Sequence, residues 1–148
     1  RELSMSNLQI RKDGNTVFLS GIIDEHADFT DLFTGLASPV IIDWDGILRI
    51  NSCGVREWVN ALKSTSLSLI FRNCPTCVVE QFNMVPEFLG NAKVDSFYAR
   101  YYSEDNDEER NVLLKVEEHF QNADDIGAPE YSDEDGYEYD INEWFWDI

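Results

Sequence analysis

Bases are scarce in this chain of 148 residues: 11 lysines and arginines stand against 29 aspartates and glutamates, for a formal charge of −18. So acidic a surface repels phosphate backbones, which argues against a nucleic-acid partner. The imbalance is uneven. Residues 1–102 carry 12 acids and 9 bases, a balance of −3, and residues 103–148 carry 17 acids and 2 bases, a balance of −15. Solubility or a salty habitat accounts for such charge more readily than a specific basic partner does. Cysteine is also rare. Three thiols, Cys53, Cys74 and Cys77, are an odd number in a chain without a recognisable secretory signal. That excludes a disulfide-stapled secreted scaffold and favours a reducing, cytoplasmic setting. No apolar run approaches the ~20 residues of a membrane span, so no membrane partner is expected. Arg1 is followed by the first methionine at Met5, the expected natural start. A hydrophobic share of 43% suits one domain with room for a small appendage.

What is present is mostly alternation of strand and helix signals. Leu8–Arg11 and Val17–Ser20 flank Asp13-Gly14-Asn15 and read as a hairpin. Asp24 stands where it would cap a helix over His26–Leu36, whose apolar residues Phe29, Leu32, Phe33 and Leu36 repeat at i, i+3, i+4 and i+7. After the next strand and helix come Leu67–Phe71, a further strand, and a helix opened by Cys74-Pro75-Thr76-Cys77 with Val78, Val79, Phe82 and Val85 on one face. Pro86–Gly90 breaks that helix, and Val94–Tyr102 alternates as a strand. The expected class is α/β, a mixed sheet with helices packed on it. Residues 103–148 form a small β-rich unit in which Tyr102-Ser103-Glu104-Asp105-Asn106 is echoed by Tyr131-Ser132-Asp133-Glu134-Asp135. Asn111–Lys115 reads as a short strand and Val116–Gln121 as a helical turn, while Trp144, Phe145 and Trp146 want burial.

Pro39–Leu62 organises the rest. Val40-Ile41-Ile42 is a buried strand, Asp43–Gly46 reads as a bend, and Ile47–Ile50 is a second short strand. At Asn51-Ser52-Cys53-Gly54 the period changes, and Val55, Trp58, Val59 and Leu62 mark one face of a helix. Asn51 and Ser52 are both good N-cap residues. A hydroxyl there lies beside free backbone N–H groups at the positive end of a helix dipole, which suits either a cap or a phosphate.

The runs LSGIIDEHA and INSCG, in this order, resemble the STAS domain, the family of bacterial anti-sigma-factor antagonists. There a strand ending in glycine leads to the first helix, and a D-S-[ST]-G turn opens the second. The resemblance covers about residues 5–102, with residues 103–148 as a separate acidic, aromatic unit. It implies a signalling module that docks a partner, an anti-sigma factor that is also a serine kinase, through Asn51, Ser52, Cys53 and Gly54 and the following Arg56 and Glu57. Ser52 matches the serine that accepts phosphate in phosphorylated members. The family's acid is Asn51 here and its second hydroxyl is Cys53, and Arg56, Glu57 and Trp58 are bulkier than the residues common early in that helix. Ser103, Asn106, Ser132 and Asp135 with Gly136 resemble zinc-ribbon knuckles that have lost their cysteines, and serine and asparagine are poor zinc ligands.

Other chemistry is thin. Cys74 and Cys77 form a C-x-x-C at a helix start, the spacing of thiol-redox proteins, but without their usual surroundings. Metal binding by that pair would need His26 and His119, neither nearby in sequence, so no metal and no cofactor is expected. Asp133–Gly136 fails the calcium-loop pattern, with Tyr131 and Asn142 at ligand positions. No Ser/His/Asp set, glycine-rich phosphate loop or carboxylate pair is visible, so an enzyme is not expected. Beside the signalling reading stands an acidic interaction or scaffold protein working through residues 103–148, and behind it the redox reading of Cys74 and Cys77.

Overall fold

The computed structural model describes residues 6–105, 107–119 and 131–143. Two strands, β1 (Leu8–Asp13) and β2 (Thr16–Ile23), pair antiparallel as the Asp13-Gly14-Asn15 turn predicts. Beside β2 runs β3 (Val40–Ile50) in parallel, then β4 (Leu69–Arg72) and the two-residue β5 (Lys93–Val94), in the order β1-β2-β3-β4-β5. The fold is thus mixed α/β around a mixed five-stranded sheet with few helices. These are α1 (Ser52–Lys63), α2 (Thr76–Met84) and the single turns α3 (Pro86–Leu89) and α4 (Val116–His119).

One sheet face carries the core. Val17, Leu19 and Ile23 of β2, Val40, Ile42 and Trp44 of β3, and Leu69 and Phe71 of β4 are buried, while the alternate residues Phe18, Ile41 and Ile70 are only half-buried. Onto the buried face fold Trp58 of α1, Val78, Val79 and Phe82 of α2, and Phe88 of α3. Trp44 meets Trp58 edge-on at 4.9 Å and Phe71 at 5.1 Å, and Trp58 meets Phe88 at 6.0 Å. Each such side chain contributes about 1.5–3 kcal/mol by burial, and edge-to-face contact adds to that.

Three expectations are corrected. The bend read at Asp43–Gly46 is a bulge in one continuous strand. Phe18 faces Asp43 and Ser20 faces Gly46, so Trp44 and Asp45 oppose a single residue of β2. The extra residue reverses the in–out alternation, which lets both Trp44 and Ile47 point to the core. With Ile47 inside, Leu48 points outward and is 73% exposed, and a second irregularity, between Gly21/Ile47 and Ile22/Arg49, leaves it without a partner in β2. The first bulge is clamped by buried Asp43. Its carboxylate accepts the Asp45 N–H at 2.9 Å, Arg72 Nε at 2.9 Å and Asn73 Nδ2 at 3.0 Å.

The helix expected over His26–Leu36 is a chain of three-residue turns. Its hydrogen bonds run Ala27 to Asp24, Leu32 to Phe29, Thr34 to Asp31 and Leu36 to Phe33. Asp28 binds the Thr30 N–H with its side chain, while Asp31 (φ 64°) and Gly35 (φ 78°) occupy the left-handed region, and these local contacts defeat a continuous helix. The apolar residues keep their expected role: Leu32 is buried, with Phe29, Phe33 and Leu36 packed against the core.

The strand read at Val94–Tyr102 is divided. After β5 comes β6 (Ser96–Ser103), which pairs antiparallel with β7 (Glu108–Lys115) and β9 (Glu138–Glu143) in a second sheet, β7-β6-β9-β8, with β8 at Tyr131–Ser132. The sheets join at Cys74, which takes the place of a strand against Phe97, and Phe97, Ala99, Tyr101 and Leu114 share the core of the first sheet. The two polar turns noted in the sequence are hairpin turns of this second sheet, between β6 and β7 and between β8 and β9. In the latter, buried Asp133 accepts the Asp135 and Tyr137 N–H groups, with Arg110 Nη2 3.9 Å away. Asn106, Trp144, Phe145 and Trp146 lie outside the described residues.

Candidate functional site

The turn between β3 and α1 is fixed from several sides. Asn51 is the N-cap: its backbone is extended (φ −104°, ψ 175°) and its Oδ1 accepts the Gly54 N–H at 2.8 Å. Its own N–H donates to the Ile23 carbonyl at 3.1 Å, tying the start of the helix to the end of β2. The other half of the amide, Nδ2, donates to Glu25 Oε2 at 2.9 Å. An aspartate could cap, but it could not donate to Glu25.

Glu25 belongs to a small acidic corner that follows β2. Asp24 is buried, its Oδ1 accepting the His26 N–H at 2.9 Å and its Oδ2 the Asn7 amide at 3.1 Å. The His26 N–H, then the Asn7 amide, hold its carboxyl below the ordinary 3.8. Glu25 is exposed, and the Asn51 amide is the main cause holding it below 4.5. His26 Nε2 lies 3.8 Å from Glu25, both side chains open to solvent.

Of the residues singled out by sequence, Asn51, Ser52, Cys53 and Arg56 are exposed, Glu57 is half-buried and Gly54 is buried. All six fall on the cap and first two turns of α1. Gly54 seats the helix. A Cβ there would stand 2.1 Å from the Ile23 carbonyl oxygen, so only glycine lets α1 approach β2 this closely. Ser52 and Cys53, the first two helical residues, therefore project from a turn whose backbone is held at Ile23 and Asn51. Arg56 lies one turn beyond Ser52, on the same side.

Sequence reasoning missed three contributors. Leu48 owes its exposure to a bulge that hydrophobic periodicity does not reveal. Asn7 and Glu25 reach the site only through the register of β1, β2 and β3, although the run GIIDEHA did mark Glu25's neighbourhood.

Cys74 and Cys77 lie elsewhere, at the start of α2. Cys74 is buried and Cys77 partly so, with its Sγ 3.9 Å from the Ile47 carbonyl. Burial pushes both thiols up from their ordinary value, helped for Cys74 by Asp43 and Asp95 and for Cys77 by Glu80. Thiol exchange requires the opposite shift. Among the described residues no group of three or more His, Cys, Asp or Glu side chains is arranged to hold a metal ion. Among them, too, no helix is long and apolar enough to cross a membrane. Comparison of the chain with protein-family models, with curated proteins and with solved structures found no match.

Proposed function

We propose that the chain is a cytoplasmic signalling module of the STAS, anti-sigma-factor antagonist type, which docks a regulatory protein through the Asn51–Gly54 turn and the exposed start of α1. The observation that carries this reading is the exposure of Ser52 and Cys53 on a turn held by Ile23, Asn51 and Glu25, with the exposed Leu48 four residues before Ser52 in the chain. A rigid turn loses little entropy on binding, and the exposed Leu48 of the preceding strand offers an apolar side chain to the same partner. Phosphate on Ser52 is the proposed switch. It adds about −1.5 to −2 charge at a helix N-terminus, where free amides favour it, with Arg56 one turn along and Glu25 opposing from the side. A partner fitted to the neutral hydroxyl is released.

The test is capture of partners by the full chain, their identification by mass spectrometry, and repetition with Ser52→Asp and Leu48→Asp. An anti-sigma-type kinase retained by the wild type and lost by both variants is the expected result. The same partners at the same yield in all three would refute it. The acidic interaction reading is best separated by neutralising exposed acids rather than by truncation. Strand β6 pairs with β7 along its whole length, so removal of residues 103–148 would lay Phe97 and Tyr101 open. Capture that survives Glu104→Gln, Asp105→Asn, Glu134→Gln and Asp135→Asn together assigns binding to the turn.

A further inference from the structure

At the opposite end of α1 from the docking turn, a cleft of about 480 Å³ opens between the last turn of that helix, the 65–68 loop and the turn from α3 to β5. Its volume falls within the ~300–1,000 Å³ of small-molecule sites. Leu62, Leu67, Leu69 and Leu89 contribute its apolar lining, and Lys63 and Glu87 stand exposed at its sides. Among the described residues neither charge has an ion-pair partner, although α1 and α3 pack against each other. Lys63 complements the negative end of α1 and Glu87 the first turn of α3, which explains the sign of each. It does not explain why two opposite charges border one cleft of mixed polar and apolar lining without an ion-pair partner among the described residues.

We infer that this cleft binds a small aliphatic zwitterion, a free α-amino acid of the leucine class. Its carboxylate pairs with Lys63, its ammonium group with Glu87, and its side chain lies against the leucines of the lining. A ligand carrying both charges satisfies both residues at once, whereas an amine or a carboxylic acid alone leaves one unanswered and meets a like charge as well.

The experiment is titration of the isotope-labelled full chain with L-leucine, followed by amide chemical shifts. Saturable shifts confined to residues 62–69 and 87–92 are expected, with a dissociation constant on the order of 1 mM for so small a ligand. Lys63→Met and Glu87→Gln should each weaken binding about tenfold, as loss of one charge-assisted hydrogen bond does. Both side chains are exposed, and the ligand gives the same readout without any substitution: leucinamide and N-acetyl-leucine, each lacking one charge, should bind wild type about tenfold more weakly. Absence of a saturable shift by about 50 mM overturns the inference. So does leucinamide or N-acetyl-leucine binding as tightly as leucine, and leucyl-leucine binding as tightly would replace the free amino acid with a peptide.

Discussion

Gly54→Ala sets two physical effects against each other, and the structure decides the sign. Gly54 is the third residue of a 12-residue helix, where alanine is intrinsically favoured over glycine by about 1 kcal/mol. Propensity alone therefore predicts a more stable protein. The added Cβ, however, would stand 2.1 Å from the Ile23 carbonyl oxygen and 2.5 Å from its carbon. Both are backbone atoms within a parallel strand and cannot turn aside as a side chain would. Relief requires α1 to move away from β2 by about 1 Å, the shortfall from ordinary van der Waals contact. That same carbonyl accepts the Asn51 N–H at 3.1 Å, so the movement stretches the bond that anchors the cap. It also draws Trp58 from its contacts with Trp44 and Phe29.

Overpacking of this kind costs about 1–3 kcal/mol, and the weakened hydrogen bond about 1 kcal/mol more. After the propensity gain is set against these, a net loss of about 2 kcal/mol remains. Urea unfolding followed by circular dichroism should show the midpoint falling by about 1 M with an unchanged slope. Asn60→Ala, at an exposed position in the same helix, provides the control, since there propensity acts alone and a gain of about 0.5 kcal/mol is expected. If Gly54→Ala matched or exceeded the wild type in stability, the close seating of α1 on β2 could not be what positions the Asn51–Gly54 turn.

The aromatic core offers a paired comparison. Trp58 Nε1 donates to the Phe88 carbonyl at 2.9 Å, whereas Trp44 Nε1 has no hydrogen-bond partner among the described residues, so Trp58→Phe should cost about 1–2 kcal/mol more than Trp44→Phe in thermal or urea unfolding. Acid should act through Asp24 and Glu25. Their folded pKa values lie below 3.8 and 4.5, so the stability they confer is complete above about pH 5 and is lost as the pH falls through the folded values, and Asp24→Asn and Glu25→Gln should each flatten the fall in unfolding midpoint between pH 5 and 3. Asn51→Asp keeps a capping oxygen but sets a second carboxylate against Glu25 in place of the amide donor. It should raise the Glu25 pKa seen by carboxyl NMR, and Glu25→Gln in the same chain should restore the lost stability.

The elements legible in the sequence are those in which local preference and tertiary need agree. The β1–β2 hairpin, α1 with its Asn51 cap, and β4 each follow from turn chemistry, capping or period. The hairpin turn at Asp133 was also visible, as half of an imperfect repeat. Misreadings arose where long-range register overrode the local pattern. Phe29, Leu32, Phe33 and Leu36 have helical spacing and do reach the core, yet a run of turns delivers them there equally well. Spacing reports which side chains are buried, and several backbones can satisfy one spacing. Val94–Tyr102 alternates as a single strand would. That its two parts serve different sheets is decided by Cys74, more than twenty residues away, which holds Phe97 while β4 ends.

Bulges are the hardest feature to read, because an extra residue breaks the alternation by which strands are recognised. In β3 the break at Asp43–Gly46 looked like the end of a strand, with Asp and Gly as its turn residues. The Asp43 carboxylate does make the turn-like bond to the Asp45 N–H, as the local residues suggest. What it produces differs. A bend would have separated Ile42 from Ile47, while a bulge keeps the chain in register with β2 and adds Trp44 to the core. The same bulge turns a residue as apolar as Leu48 outward, four positions before Ser52. Burial energy alone would favour the opposite arrangement, with Leu48 inside. The extra residue between Asp43 and Gly46 brings Ile47 inside in place of Leu48 and leaves that leucine in solvent, four residues before Ser52. Strand β3 therefore both sets Leu48 outward and leads directly into the turn whose Gly54 is seated on Ile23.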